Sequence, residues 1–492
     1  MRNFYRAIAL PRMLYGAEVF AAPEVTVRDK QRQRQQRPPK GAVIRALNTI
    51  QRKAAIVITG AMRTTAADTL NIHANLLPAS HHLNLLFTKS AIRLATLPPT
   101  HPLHRHVKHA TTYHIKHHRH TVIDLVQEYK VNHKRTETIQ PIRQNTKWTY
   151  DGKYKIAKTA EEAVEDEKND NAYIKVYTDG SGIDGHVGAA AVLYEGGRVT
   201  ETRRFRLGTL KKHEVYDLEG TGMVPAMTTI GNCEEVEGET SIYTDSEAAI
   251  KAILLRTPTP SHNIWDAFHA EYCRAKKKHL NMQLTIRWIP AHVNVEGNER
   301  ADQEVKKAAR GDTNVRNMSY IPPILRQCIP YNPVSIFKTK RHLETKKAMR
   351  TWHQSKRHRR LQETTGNTAP GSYQKLIKDL HRIHTSLLVQ LRTGHAPLQY
   401  HPHRIRAADS PTCPSCEQHN ETVRHFLLHC PTYEPQCQHL YYTIGPDARD
   451  LQRLLSTRKH LPALFDFIRA SRHFQQTFER IPDIELPDDK KH

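Results

Sequence analysis

Four acidic residues in the middle of the chain have the types and positions of a metal-dependent catalytic site. Asp179 ends a strand-like run in YTDGS, Asp245 ends another in YTDS, Glu219 comes early in a helix-like stretch, and Asp302 lies in GNERADQEV. Strand ends at one edge of a sheet converge, and carboxylates brought together there repel one another unless a hard cation neutralises them. Oxygen ligands suit Mg²⁺ or Mn²⁺, and two such ions about 3.5–4 Å apart activate water for phosphodiester hydrolysis.

Two of these acids also have a purely structural interpretation. Asp179 before Gly180-Ser181 is compatible with an Asx-turn, and Asp245-Ser246 with a helix N-cap before EAAIKAI. The residues taken singly leave both interpretations open.

The elements that must position these acids are those of an α/β domain. Three β-rich segments separated by Gly turns predict an antiparallel meander: YIKVYTDGSG, VGAAAVLYEG and GRVTETRRFRL. After them the pattern predicts a helix around 214–229, a strand at SIYTDS, helices around 246–255 and 262–279, a strand at LTIRWIP and a helix from about Asn298 to Arg310. This order predicts a mixed sheet flanked by helices.

Four strings in one order resemble the type 1 ribonuclease H family. They are YTDGSG, VYDLEG, YTDSEAAI and RWIPAHVNVEGNERAD, and the resemblance spans about residues 171–310. It implies an α/β fold with a five-stranded mixed sheet and an endonuclease that cuts the RNA strand of RNA–DNA hybrids, leaving a 3′-hydroxyl and a 5′-phosphate. It also implies a site that holds two Mg²⁺ or Mn²⁺ ions.

The resemblance assigns a role to five residues. Asp179, Glu219, Asp245 and Asp302 are implied to be metal-binding carboxylates, and His292 is implied to be the loop histidine that assists proton transfer or product release. A neutral imidazole near a scissile phosphate is a ready proton shuttle. A loop histidine without a catalytic role is the alternative.

The helix after Glu219 departs from the family pattern. Gly220 and Gly222 each cost roughly 1 kcal/mol inside a helix, and Pro225 costs about 3 kcal/mol. The sequence therefore predicts a kink beside the second carboxylate. A catalytically inactive nucleic-acid-binding relic is the alternative to an active enzyme.

A Cys/His cluster follows the α/β domain. The spacing Cys413-x2-Cys416-x8-His425-x4-Cys430 suits a tetrahedral structural Zn²⁺ site, with His429 as a competing ligand and unrelated loop cysteines as the alternative. Seven cysteines in 492 residues are too few for a disulfide framework, so the thiols indicate an intracellular protein of the nucleus or cytoplasm. The acid-poor, Arg-bearing N-terminus leaves a transit peptide as a second possibility.

The chain is strongly basic, and the excess lies outside the predicted nuclease domain. The net charge is +25, whereas residues 171–310 hold 18 Lys and Arg against 19 Asp and Glu. The run from Lys338 to Arg360 has ten basic residues and one acid, with Trp352 available for stacking. This distribution favours nucleic acid as the partner, with a solvated helix face as the alternative for the run. The apolar stretches are too short to predict a membrane span.

The flanking strings are similar to the C-terminal part of a non-LTR retrotransposon polyprotein. They include FYRAIALPRMLYGAEVF and IQRKAAIVITGAMRTTAADTL before the domain, and LLVQLRTGHAPL with CPSCEQHNETVRHFLLHCPTY after it, and no Y-x-D-D polymerase string occurs. The polar stretch 29–41 predicts a loop, and the His-rich segment 101–120 and EEAVEDEKND at 161–170 are interpreted as linker. The predicted segments are 1–110, a helical reverse-transcriptase thumb or connection remnant; 111–170, a linker; 171–311, the ribonuclease H domain; 312–400, a basic helical region; 401–440, the zinc module; and 441–492, a tail.

Overall fold

The computed structural model describes most of the chain. The described residues are 1–21, 39–115, 120–141, 150–209, 213, 215–255, 257–314, 321, 323–326, 329–366 and 368–484. Most of the predicted loop 29–41, part of the His-rich segment and the last residues of the tail lie outside these ranges. Among the described residues, no helix is both long and apolar enough to cross a bilayer.

The described residues form two compact units. The first combines residues of Met1–Pro23, Asp29–Leu86 and His342–His492, and the second comprises Phe87–Arg341. The predicted boundary at residue 110 is therefore wrong, because residues 87–110 belong with the α/β unit and residues 39–86 belong with the C-terminal part of the chain. Sequence pattern identifies helices but does not show which helices share a core.

Among the described residues, all six strands belong to the second unit. The strands are β1 (Lys153–Lys155), β2 (Ile174–Ile183), β3 (His186–Glu195), β4 (Arg198–Thr209), β5 (Gly238–Thr244) and β6 (Met282–Trp288). The helices as far as the last strand are α1 (Arg2–Phe4), α2 (Leu10–Met13), α3 (Ala17–Phe20), α4 (Pro39–Thr59), α5 (Ala67–Ala74), α6 (Ala79–Ala95), α7 (His104–Thr112), α8 (Thr121–Tyr129), α9 (Ala160–Lys168), α10 (Val215–Asn232), α11 (Glu247–Ile253) and α12 (His262–Lys278). Those after it are α13 (Glu296–Arg310), α14 (Pro333–His353), α15 (Lys356–Thr365), α16 (Ser372–Leu376), α17 (Arg382–Thr393), α18 (Tyr400–Arg404), α19 (Glu434–Ile444), α20 (Leu451–Ser456) and α21 (Leu461–Ser471).

The second unit is built on a mixed six-stranded sheet in the order β1-β6-β5-β2-β3-β4. Strands β2, β3 and β4 form the predicted antiparallel meander, and β5 and β6 run parallel to β2. Val176 and Tyr177 are adjacent on β2 and enter separate apolar clusters, because successive side chains point to opposite faces of a strand. Helices therefore cover the sheet on both faces, which confirms the predicted α/β class.

The predicted strand number and linker are wrong. Strand β1 pairs in parallel with β6, with Lys153 opposite Thr285, and adds a sixth strand. The acidic stretch after it forms α9, capped by the Thr159 side chain, which accepts from the Glu162 amide. It lies against the sheet, where the Tyr177 hydroxyl donates to Glu167 at 2.5 Å. A three-residue edge strand is too short to show a period in the sequence.

The His-rich segment is also more ordered than a linker. Residues His104–Thr112 form α7, which packs against α8 through Val107, Ala110, Ile123 and Val126. His104 lies edge-on to His133, with ring centroids 4.8 Å apart. Burial of one apolar face fixes this helix although its other faces carry charge.

The first unit joins N-terminal helices to C-terminal ones. The carbonyl of Gly60, after α4, accepts from the Gln390 amide of α17 at 3.0 Å, and His73 of α5 lies edge-on to Tyr373 of α16 at 4.9 Å. Trp352 is only 4% exposed, so the prediction that its ring is available for stacking in the basic run is wrong.

Helix α10 runs without interruption from Val215 to Asn232 with Pro225 inside it, so the predicted kink does not break the helix. A Cβ on Gly220 would lie 2.7 Å from the Trp265 ring, and one on Gly222 would overlap Thr178 Oγ1. These glycines allow the helix to lie directly against β2 and α12.

We expect Gly222→Ala to lower the free energy of unfolding by about 2–3 kcal/mol, because the added methyl must push α10 away from β2. Gly231→Ala on the same helix is the matched control, since its Cβ would meet only Ala275 Cβ at 3.3 Å. Urea denaturation of both variants measures the effect. Equal stabilities would show that α10 does not pack closely at Gly222.

Candidate active site

Strand register brings Asp179 and Asp245 to the same place. Thr178 of β2 is paired with Thr244, the last residue of β5. Asp179 directly follows Thr178, and Asp245 directly follows Thr244. Asp179 continues strand β2 opposite Ala190, so it is not in an Asx-turn. The Ser246 side chain caps α11 by accepting from the Ala249 amide, and the Asp245 carboxylate is therefore not needed as the cap.

A glycine on β2 brings Glu219 close to these two acids. A Cβ on Gly180 would overlap the backbone of Leu218 and lie 2.6 Å from the Glu219 nitrogen. Only a residue without a side chain lets the first turn of α10 approach the strand this closely. The Trp288 indole of β6 fixes the other side by donating to the Asp245 carbonyl at 3.0 Å.

Three of the four predicted carboxylates form one cluster. Asp179, Glu219 and Asp245 each offer an oxygen within 4.8 Å of the others. Asp302 lines the same cavity, whose volume is about 300 Å³, but its carboxylate accepts from Lys306 of the next helical turn at 2.5 Å. The structure therefore brings together a triad and places the fourth acid on the wall beside it.

His292 lies at the rim of this cavity. It occupies the turn between β6 and α13 with φ of 59°, and its side chain is exposed. Its charge, when present, lowers the pKa of Asp245. The histidine is therefore near enough to the triad to act on its protonation.

Burial and mutual repulsion raise the pKa values of all three triad carboxyls. Burial, followed by the charges of Asp245 and Asp302, raises the pKa of Asp179 to about 7. Burial, followed by Asp245 and Asp179, raises the pKa of Glu219 to about 9. The pKa of Asp245 is also raised, first by burial. A site without a cation therefore holds protons near neutral pH.

The donor set fits a hard divalent cation. The buried atoms Glu219 Oε2 and Asp245 Oδ1 have no hydrogen-bond partner among the described residues. A buried carboxylate oxygen without a partner is costly, and a bound cation satisfies it. The residues that would hold the ion are Asp179, Glu219 and Asp245.

Two residues of the cavity wall, Asn298 and Glu299, are not among the predicted site residues. Asn298 and Glu299 line the cavity from α13 together with Asp302. Asn298 and Glu299 precede Asp302 by four and three residues, so all three lie on one face of the helix. The string GNERAD contains this spacing, which could have predicted that both residues line the site.

The four predicted zinc ligands also come together, in the first unit. Ligand atoms of Cys413, Cys416, His425 and Cys430 all lie within 4.8 Å of one another, whereas His429 is outside this group. The sulfurs of Cys413 and Cys430 are 3.9 Å apart, and Cys416 Sγ is 3.4 Å from His425 Nε2. Two sulfurs bound to one tetrahedral Zn²⁺ at about 2.3 Å would be about 3.8 Å apart, so the spacing fits.

The local environments of Cys413 and Cys416 shift the pKa values of their thiols in opposite directions. Burial raises the pKa of the Cys413 thiol to about 12. The backbone N–H of Gln418, together with that of His419, lowers the pKa of Cys416. Helix α21 closes the module from one side, with Phe467 edge-on to Phe426 at 5.6 Å.

A mixed sheet with three carboxylates converging at the edge of β2 and β5 defines an RNase H-like α/β domain. Residues 171–310 match the family model described as RNase H, and this part of the chain is an RNase H domain. No curated protein matches the chain.

Several solved structures are similar to a part of this chain at low identity. LC11-RNase H1, solved in complex with an RNA/DNA hybrid, is 19% identical over 28% of this chain and 96% of its own, with a TM-score of 0.23. RNase H1 from Halobacterium salinarum is 17% identical over 27% and 96%, with a TM-score of 0.22. The N-terminal RNase H domain of a Mycobacterium tuberculosis protein is 15% identical over 27% and 98%, with a TM-score of 0.22.

Proposed function

We propose that residues 171–310 hydrolyse the RNA strand of RNA–DNA hybrids in a reaction that needs Mg²⁺ or Mn²⁺. The observation that carries the proposal is the partly buried triad of Asp179, Glu219 and Asp245, in which two buried oxygens have no hydrogen-bond partner among the described residues. Two bound divalent ions would supply an activated water and stabilise the leaving oxygen.

The chain's own residues prepare the site for this reaction. The triad presents oxygens fixed by β2, β5 and α10, so little reorganisation is needed when ligands arrive. Asp302 and Lys306 form a charge pair on the wall, and Asn298 offers a buried amide there. Hybrid choice would come from contacts to the 2′-hydroxyls of one strand.

The direct test is cleavage of an end-labelled RNA–DNA hybrid by the full chain in Mg²⁺. We expect products with a 3′-hydroxyl and a 5′-phosphate from the RNA strand, and no cleavage of the same RNA alone or of duplex DNA. Binding without any cleavage would favour the inactive relic over the enzyme.

Metal affinity should depend steeply on pH. The pKa values of Asp179 and Glu219 are raised to about 7 and about 9, so a cation must displace protons at neutral pH. We expect the affinity for Mg²⁺ to rise about tenfold per pH unit for each proton displaced, from pH 6 towards pH 9. Calorimetric titration in buffers of different ionisation enthalpy measures both affinity and proton release. A pH-independent affinity would show that the triad does not bind the metal.

His292 is proposed to transfer a proton or to assist product release. We expect His292→Asn, which tolerates the positive φ, to lower kcat on the order of 10²-fold at neutral pH. Added imidazole should restore part of the loss if the ring moves a proton. An unchanged kcat, or a loss that imidazole does not rescue, would leave the histidine without the proton-transfer role.

The Cys/His cluster is proposed to bind one structural Zn²⁺ through Cys413, Cys416, His425 and Cys430. The proposal rests on the ligand spacing and on the burial of Cys413 and Cys430, each 1% exposed. Such a site needs reduced thiols, which supports a location in the nucleus or cytoplasm. Fractionation of cells expressing the tagged chain tests that location.

An origin in a non-LTR retrotransposon is also proposed. Its support is the order of the N-terminal strings, the RNase H domain and the Cys/His cluster along the chain. Genomic sequence upstream of the gene tests it, since a reverse-transcriptase reading frame or its decayed remains should lie there.

A further inference from the structure

A cavity of about 830 Å³ lies within the first unit, and none of its lining residues belongs to an element that carries the carboxylate triad. Its walls come from the segment before α5, from α15, from the end of α17 with α18, and from residues that follow Cys416. The cavity has the volume of a site for a small ligand or a short chain segment, about 300–1,000 Å³.

The walls carry a marked excess of positive charge. Five arginines line the cavity against two glutamates: Arg357, Arg360, Arg392, Arg404 and Arg424, with Glu363 and Glu421. Glu421 is 1% exposed, its carboxylate accepts from the Gln399 amide at 2.6 Å, and burial raises its pKa. Five guanidinium groups against two carboxylates leave the cavity cationic.

Three of the arginines are free to bind a ligand. Within the described residues, the guanidinium groups of Arg360, Arg404 and Arg424 form no hydrogen bond and no ion pair, and all three side chains are exposed. Arg404 lies over the Tyr400 ring, 6.0 Å from its centroid. An arginine beside an exposed aromatic ring is suited to a phosphate next to a stacked base.

Three of the residues that line the cavity each have one buried polar atom without a hydrogen-bond partner among the described residues. They are Thr65 Oγ1, Arg392 Nε and His401 Nδ1, and their residues are 1%, 3% and 2% exposed. A buried polar atom without a partner is costly, and three on the wall of one cavity indicate that a ligand or ordered water completes them.

These atoms can all act as donors. Thr64 Oγ1 is 2.9 Å from His395 Nδ1 and 3.0 Å from His401 Nε2, so its hydroxyl can donate to His401 while accepting from His395. In that arrangement His401 carries its proton on Nδ1, the ring atom that has no partner among the described residues. Burial lowers the pKa of His395 to about 4, with His401 and the neighbouring arginines adding to the effect, so the imidazoles stay neutral. The complementary ligand therefore supplies acceptor oxygens and negative charge.

We propose that this cavity binds the phosphodiester backbone of single-stranded nucleic acid, through Arg360, Arg404 and Arg424 at the rim and Thr65, Arg392 and His401 inside. Single phosphates share this chemistry, but the rim arginines and Tyr400 extend the site beyond one anion. An unpaired strand can offer both its phosphates and its base faces to such a site, whereas the base faces of a duplex are already stacked on one another. The chain would thus hold unpaired nucleic acid at a site outside the RNase H domain.

The test is the binding of the full, zinc-loaded chain to a fluorescent single-stranded DNA of about ten nucleotides, a length within the range of single-strand sites. We expect Arg360→Gln with Arg404→Gln to weaken binding at low salt at least about tenfold and to reduce the slope of log K against log salt by about 1.4, since each single-strand phosphate contact contributes about 0.7. The matched control is Lys356→Gln with Arg359→Gln, which removes two exposed charges from α15 that do not line the cavity.

Four outcomes would overturn the proposal. Unchanged binding in the cavity variant would remove the site, and an equal loss in the control would show nonspecific attraction. Complete displacement by inorganic phosphate, at an ionic strength where chloride does not displace, would show a free-phosphate site. Loss of binding in Asp179→Asn would place the single strand at the nuclease site. Retained binding in that variant would support a separate site, whether or not the variant still cleaves the hybrid.

A second variant separates binding from folding. Thr65→Val keeps the shape and removes a hydroxyl that has no hydrogen-bond partner among the described residues, so the melting temperature should stay the same or rise. We expect the affinity for the oligonucleotide to fall about fivefold. Unchanged affinity in this variant would show that the ligand does not reach the interior of the cavity.

Discussion

Replacing Asp179 with asparagine is expected to lower the rate of hybrid cleavage on the order of 10³-fold or more while making the metal-free protein more stable. The carboxylate is 8% exposed and lies in the triad with Glu219 and Asp245. An amide oxygen carries no full charge, so the variant loses affinity for divalent ions and the charge stabilisation they give.

The opposite effect on stability follows from the raised pKa. The folded state holds Asp179 with a pKa of about 7, above the unfolded value of about 3.9. A carboxyl group with a raised pKa contributes a penalty that is absent below about pH 4, grows as the pH rises, and is complete above the folded pKa. Asparagine removes that penalty, and the unfolding free energy without divalent metal should therefore rise by about 1–3 kcal/mol at pH 8 and by almost nothing at pH 4.

Chemical denaturation at the two pH values, together with the cleavage assay, measures both effects. Asp184→Asn is the matched control, because Asp184 is exposed in the turn after β2 and has a positive φ that asparagine also adopts. It should keep both activity and stability. An Asp179→Asn variant that cleaves at the wild-type rate would remove the triad from the mechanism.

Replacing Cys430 with serine is expected to release the zinc and to unfold the surrounding module. Cys430 is 1% exposed, and its sulfur is 3.9 Å from that of Cys413. Structural zinc contributes about 10–16 kcal/mol of apparent binding free energy in small zinc modules, and this energy is coupled to folding. Without the ion, buried thiols and His425 have nothing that offsets their desolvation.

Metal analysis of the purified chain should find about one zinc per molecule in the wild type and almost none in Cys430→Ser. Protease digestion should then cut within residues 401–440 of the variant only. Cys437→Ser is the control, since Cys437 is close in sequence but outside the ligand group. One retained zinc in Cys430→Ser, or zinc loss in the control, would contradict the assigned ligand set.

At the acidic site, short sequence strings predict which residues take part but not how they are arranged. TDGS and TDS identify Asp179, which lies within β2, and Asp245, which directly follows β5, and the parallel register of the two strands places them together. Asp302 lies outside the triad, and its carboxylate is paired with Lys306 of the next helical turn. A sequence motif names residues of a site but does not fix which oxygens share one ligand.

The helix after Glu219 shows the opposite case. Intrinsic propensity predicts a kink at Gly220, Gly222 and Pro225, yet α10 is continuous. Close packing on Thr178 and Trp265 requires the missing side chains, and burial of the rest of the helix outweighs their low propensity.

The sequence by itself determined the class of the central domain, four of its acids and the Cys/His cluster, because strand alternation and ligand spacing are local properties of a few neighbouring residues. Only the tertiary structure decided that β1 joins the sheet, that residues 39–86 pack with the C-terminal region, and that a cationic cavity forms there. These features depend on contacts between residues far apart in the sequence, such as Lys153 with Thr285 and Gln390 with Gly60. Such contacts arise from the sum of many small packing energies, and a pattern of neighbouring residues in the sequence does not predict them.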